Sequence, residues 1–91
     1  MVYIARLVWD SQNVPHIARH NVIPEEVEEV CHGKHIASQT YKKRILIIGP
    51  TQSGRMLAVV LDRTKKKNVY YPVTARPASK REIRDYDDES R

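Results

Sequence analysis

Between Thr74 and Glu89 the chain reads TARPASKREIRDYDDE, and its charges oppose the dipole of the helix that this stretch predicts. Arg76, Lys80 and Arg81 lie before or at the start of that helix, while Asp85, Asp87, Asp88 and Glu89 crowd its end. A helix macrodipole favours the reverse order, by about 0.3–1 kcal/mol per exposed charge. Ser79, followed three residues later by Glu82, has the spacing of a capping box, so the start is well marked. Lys80 and Arg84, four apart, fall along one side of the helix, and Arg76 is the final side chain of the strand before it. These three cations are expected to converge where the helix amides already attract anions, which would make a phosphate cradle. The competing reading pairs Arg81 with Asp85 and Arg84 with Asp88 on a solvated helix, at only about 0.3–0.5 kcal/mol per pair.

A second constellation gathers every histidine of the chain: His16 and His20 four apart, then Cys31, His32 and His35. Two imidazoles one helical turn apart can hold zinc. The set nevertheless lacks a standard structural spacing, and adjacent Cys31 and His32 would point apart on a helix. Neither a metal nor a cofactor is expected.

The elements that must position these groups are readable from pattern. VYIARLVW, Val2 to Trp9, has the β-branched and aromatic content of a first strand. Asp10, Ser11 and Asn13 offer caps for a short helix over NVPHIARH, with Val14, Ile17 and Ala18 as its apolar face. Pro24, Glu25 and Glu26 open a second helix, Val27, Val30 and Cys31 form its buried stripe, and Gly33 ends it. Strands follow over HIASQT, RILIIG, MLAVVLD and VYYPVT, joined by PTQSG and RTKKKN turns in the later two connections. Pro72 removes a ladder donor and predicts an edge or a bulge. The expected fold is α+β: one antiparallel sheet, two N-terminal helices and one C-terminal helix, in a single domain over residues 1–91.

Totals narrow the function classes. The 91 residues carry a formal charge of +5, with 30% charged and 41% hydrophobic residues. A basic chain of this kind suits a polyanion partner, nucleic acid first, although charge also serves solubility alone. One cysteine excludes an intrachain disulfide and makes a cytoplasmic location the default expectation. No stretch approaches the roughly 20 apolar residues of a membrane-spanning helix, so no membrane partner is expected. Lys65, Lys66 and Lys67 mark a basic hairpin tip, most simply a solvated turn and otherwise a grip on RNA backbone or ribosome.

Several segments together resemble the BrnT toxins, relatives of the RelE-like ribonucleases. They are VWD at Val8–Asp10, RHNVIPEEV at Arg19–Val27, RILIIG, GRMLAVV at Gly54–Val60 and VTARPASKREIRDY at Val73–Tyr86. The last is the most specific, and the order and spacing agree over nearly the whole chain. Two departures stand out: Asn21 occupies a position that is usually glycine, and KHIASQTYK is shorter and less acidic than its counterpart.

The resemblance implies a RelE/BrnT-like fold and a metal-independent endoribonuclease that inhibits translation. It also implies a BrnA-like ribbon-helix-helix antitoxin, with operator DNA bound only through that antitoxin; homodimerisation is compatible with it. In such an enzyme the RNA 2′-hydroxyl attacks the adjacent phosphate, and protein groups move protons and stabilise the crowded anion. Arg76 and Arg55 would hold phosphate oxygens, Lys80 would add charge, and His20 would shuttle protons. Arg84, Tyr86, Arg44 and Arg63 complete the expected RNA contacts. Trp9 is expected in the core rather than stacked on a base. His20 has an equally good structural role, capping the end of the first helix. The competing class is a basic binding module for RNA, DNA or an antitoxin that performs no chemistry.

Overall fold

A computed structural model describes residues 2–90 as a five-stranded mixed sheet with three helices, an α+β architecture. The strands are β1 (Arg6–Leu7), β2 (Ile36–Gln39), β3 (Ile45–Pro50), β4 (Met56–Arg63) and β5 (Val69–Pro77). The helices are α1 (Asn13–Ala18), α2 (Pro24–His32) and α3 (Lys80–Glu89). Strand order across the sheet is β1-β5-β4-β3-β2. The expected all-antiparallel sheet is therefore corrected at one edge, where β1 runs parallel to β5. Two helices and three strands separate β1 from β5 in sequence, which gives the long connection that a parallel pair requires. Only Arg6 and Leu7 of the predicted Val2–Trp9 strand join the ladder.

The central strands alternate as a sheet covered on both faces should. Leu57, Val59 and Leu61 of β4 point into the main core with Ile45 and Ile47 of β3, Ile17 of α1, and Val27 and Val30 of α2. Ala58 and Ile48, paired across the ladder and of opposite parity, are also buried but stand outside that cluster. Helix α3 packs on β3. The bulge signalled by Pro72 is present: Val60 pairs with Thr74 but Leu61 with Pro72, leaving Val73 unmatched.

The second helix matches its sequence signals from Pro24 to its end. Gly33 follows it in an extended conformation, and a Cβ there would lie 2.7 Å from the Glu29 carbonyl oxygen. Close approach, not a left-handed turn, is what requires glycine. The first helix is shorter than NVPHIARH, ending at Ala18, and of its predicted apolar face only Ile17 is buried. Its second anchor is polar. Asn13 is buried, donates through Nδ2 to the Val8 and Pro72 carbonyls, and accepts the Asp10 N–H through Oδ1. Asn21 closes the following turn at φ 59°, a left-handed conformation that asparagine tolerates well. Among the described residues, no helix is long and apolar enough to cross a membrane.

Candidate functional site

Strand β5 delivers Arg76 opposite Ala58, on the sheet face away from the main core, just before the α3 cap. Ser79 accepts the Glu82 N–H, and Glu82 reaches back to the Ser79 N–H at 2.8 Å, completing the capping box. The same carboxylate takes Arg76 in a fork, with Nη1–Oε1 at 2.7 Å and Nη2–Oε2 at 2.9 Å. The Arg76 hydrogen bonds are the largest cause holding the Glu82 carboxyl down at about 2, and the bond from Ser79 adds to it; burial opposes them. Arg76 is in turn held above its ordinary value by Glu82. Arg76 therefore has a structural duty: it neutralises and orients the cap.

Arg55 is engaged differently. Gly54, at φ 90°, turns the β3–β4 hairpin and presents Arg55 to the α1–α2 side. There Nη1 donates to the Asn21 carbonyl at 2.6 Å and to both oxygens of Glu26 at 3.1 Å, and Nη2 donates to the His20 carbonyl at 3.3 Å. Glu26 also accepts the Ile23 N–H at the α2 start. Arg55 thus ties a hairpin to the turn between two helices, while Arg76 serves α3 on the other side of the sheet. Arg55 and Arg76, both expected to hold phosphate oxygens, do not share one site, because alternate strand parity sends the two guanidiniums to different elements and each meets a carboxylate.

The remaining predicted residues divide the same way. Lys80 and Arg84 are exposed on α3, and neither makes an ion pair or side-chain hydrogen bond among the described residues. The alternative pairs Arg81–Asp85 and Arg84–Asp88 are likewise not formed among those residues. Tyr86 is half-buried on α3. The His20 ring is exposed and lies edge-on to His16, with centroids 6.3 Å apart; among the described residues it caps no helical carbonyl. Arg44 and Arg63 sit at the opposite end of the sheet, Arg44 beside Asp62 at 3.2 Å and Arg63 donating to the Lys43 carbonyl at 2.8 Å.

Trp9 packs against the core with its indole N–H on Glu28 at 2.8 Å, in keeping with a structural rather than a stacking role. Cys31 is buried, and burial with Glu28 nearby pushes its thiol up to about 12, far from a nucleophile. Both ring nitrogens of buried His35 are occupied, Nδ1 by the Gly33 carbonyl and Nε2 by the Val2 N–H. No three His, Cys, Asp or Glu side chains among the described residues come together as a metal site would need.

Sequence reasoning treated Glu82 and Glu26 as helix-start residues and missed that each also holds an arginine. Their presence three positions after a cap and in a first turn was visible; the guanidinium partner depends on tertiary placement. Compared with known proteins, the chain matches no family model, no curated protein and no solved structure.

Proposed function

We propose that the protein is a BrnT-like toxin that acts on RNA in the cytoplasm, cuts it by 2′-hydroxyl attack and is neutralised by a ribbon-helix-helix antitoxin, which alone brings it to operator DNA. The observation that supports this reading is that residues of the segments carrying the resemblance hold specific partners, and that one segment, GRM, is tied to another, RHNVIPEEV. Trp9 of VWD bonds Glu28 beyond the RHN segment, Arg55 of GRM bonds His20, Asn21 and Glu26 within it, and Arg76 bonds Glu82 inside the closing segment.

The reaction centre in this reading is the α3 side. Arg76 is 42% exposed while Glu82 is 15% exposed, so the guanidinium is the half of the pair that an incoming phosphate reaches. Transfer of Arg76 from Glu82 to a phosphate oxygen stabilises the crowded phosphorane. It also frees a carboxylate whose proton affinity rises once its cation leaves, suiting it to take the 2′-hydroxyl proton. The 2′-oxygen bonds phosphorus, the bond to the 5′-oxygen breaks, and solvent protonates the leaving oxygen. Lys80 and Arg84 add positive charge beside the path.

The test is incubation of RNA with wild type, Arg76→Ala and Glu82→Gln. Wild type should yield 2′,3′-cyclic phosphate ends and both variants should lose at least about a hundredfold in rate. Cutting that persists in both variants sinks the proposed centre. A second reading, a binding module without chemistry, is favoured by the fact that both key guanidiniums already hold carboxylates. RNA that stays intact with wild type yet is retained in a salt-sensitive way supports that reading instead.

A further inference from the structure

At the end of the sheet far from Arg76, two turns meet. The β2–β3 turn carries Tyr41, Lys42, Lys43 and Arg44; Arg63 ends β4, and the β4–β5 turn after it carries Lys65, Lys66 and Lys67. Because β3 and β4 are antiparallel neighbours, both turns fall at the same edge, and the bond from Arg63 Nη1 to the Lys43 carbonyl joins them directly. Asp62 is the only carboxylate of the chain between Glu29 and Glu82, and it is taken by Arg44.

We propose that this two-turn rim is a binding surface for single-stranded RNA, with its lysines on the phosphates and Tyr41 as a platform for an unpaired base. The inference deepens the RNA reading above and rests on it for the choice of nucleic acid, but it does not depend on cleavage.

The rim is built, not merely charged. Lys42 and Lys43 stand in succession at φ 60° and 61°, left-handed conformations that cost about 1–2 kcal/mol each for side chains of this type. Such strain is kept where surroundings impose it, and functional surfaces are where it concentrates. The other turn is fixed by Thr64, whose hydroxyl donates to the Val69 carbonyl at 2.7 Å and accepts the Lys66 N–H. Beside it lies a recess of about 240 Å³ lined by Arg63, Thr64, Lys66, Lys67 and Asn68 among others. Tyr41 is 78% exposed, with the Lys42 ammonium 5.6 Å from its ring centroid. Cations flanking an open aromatic face are the ingredients of single-strand recognition. Duplex DNA is disfavoured because two blunt turns present neither a helix nor a ribbon for the major groove.

The experiment measures anisotropy of a labelled 2′-O-methyl single strand of about twelve nucleotides, which resists 2′-hydroxyl attack, across a salt series. Lys65→Gln with Lys66→Gln and Lys67→Gln should bind about tenfold more weakly at about 50 mM salt and flatten the log–log salt slope by about 2. Tyr41→Ala should weaken binding about fivefold or more without changing that slope. A control with equal charge loss elsewhere, Arg19→Gln with Lys34→Gln and Arg81→Gln, should lose less than about threefold. Circular dichroism confirms that each variant is folded. Equal losses in rim and control variants overturn the proposal, as does tighter binding to duplex DNA of the same sequence, or no binding by wild type. Rim binding that survives while natural RNA stays uncut removes the cleavage reading and leaves this one standing.

Discussion

Glu82 concentrates three duties in one carboxylate: it is the third helical residue, it returns to the Ser79 N–H, and it forks onto Arg76. Its folded value, about 2, lies below the ordinary 4.5, so the stability it supplies is present above 4.5 and is lost as pH falls toward 2. Discounted for the exposure of Arg76, that contribution is about 1–2 kcal/mol, and urea titrations of wild type and Glu82→Gln should converge by that amount between those pH values. His35 acts at milder pH. Burial is the main cause depressing it, and the two bonds to Gly33 and Val2 fit only a neutral ring with its proton on Nδ1. An unfolded chain protonates more readily below 6.5, so stability should fall as pH drops from 6.5, and the slope should be shallower in His35→Gln. At this scale sequence was informative about caps and poor about partners. The Ser79–Glu82 cap was legible, since it depends on local backbone. The Arg76–Glu82 and Arg55–Glu26 pairs were not, because nothing local says which way a guanidinium turns once its strand is packed.

Elements are joined here by polar clasps as much as by the core. Asn13 connects the start of α1 to the β1 exit and to the bulged carbonyl of β5, and Arg55 connects the β3–β4 hairpin to the α1–α2 turn. Replacing Asn13 with Ala leaves the Val8 and Pro72 carbonyls without their donor in a buried place, at a cost of about 2–3 kcal/mol in urea unfolding. Arg55→Ala should act more locally, lowering stability by about 1–2 kcal/mol and speeding amide exchange at Asn21, Val22 and Ile23, while α3 exchange stays unchanged. Equal acceleration across α3 would mean that the clasp is not local. The second helix and the β3, β4 and β5 strands were legible because their apolar runs are long enough to read, and α3 because its Ser79–Glu82 cap is a local signal. β1 was not: a two-residue parallel contact at an edge has no periodicity, and its partner lies more than sixty residues away in sequence. For the same reason α1 resembled an amphipathic helix, whereas its deepest polar residue is a hydrogen-bonding asparagine.

The whole molecule separates its charges along the sheet. At the α3 end the two arginines expected to act are each held by a carboxylate, whereas at the two-turn rim Lys43, Lys65, Lys66 and Lys67 have no side-chain hydrogen bond or ion pair among the described residues. Like charges about 8 Å apart repel by roughly 0.5 kcal/mol per pair even in bulk water, and salt with a Debye length near 10 Å removes most of that. A rim kept for solubility alone would gain nothing from crowding its lysines into one place, because scattered charge solubilises equally well with less repulsion. Crowding therefore carries a stability penalty that a ligand would relieve. Lys65→Gln with Lys66→Gln and Lys67→Gln should raise the melting temperature in low salt, by about 0.5–1 kcal/mol of stability, and the advantage should vanish by about 0.5 M salt. A polyanion should stabilise wild type in low salt and leave the triple variant nearly unmoved, since a ligand that binds only the folded state stabilises it by mass action. A triple variant that melts no higher than wild type in low salt would show that the rim lysines are spread widely enough not to feel one another.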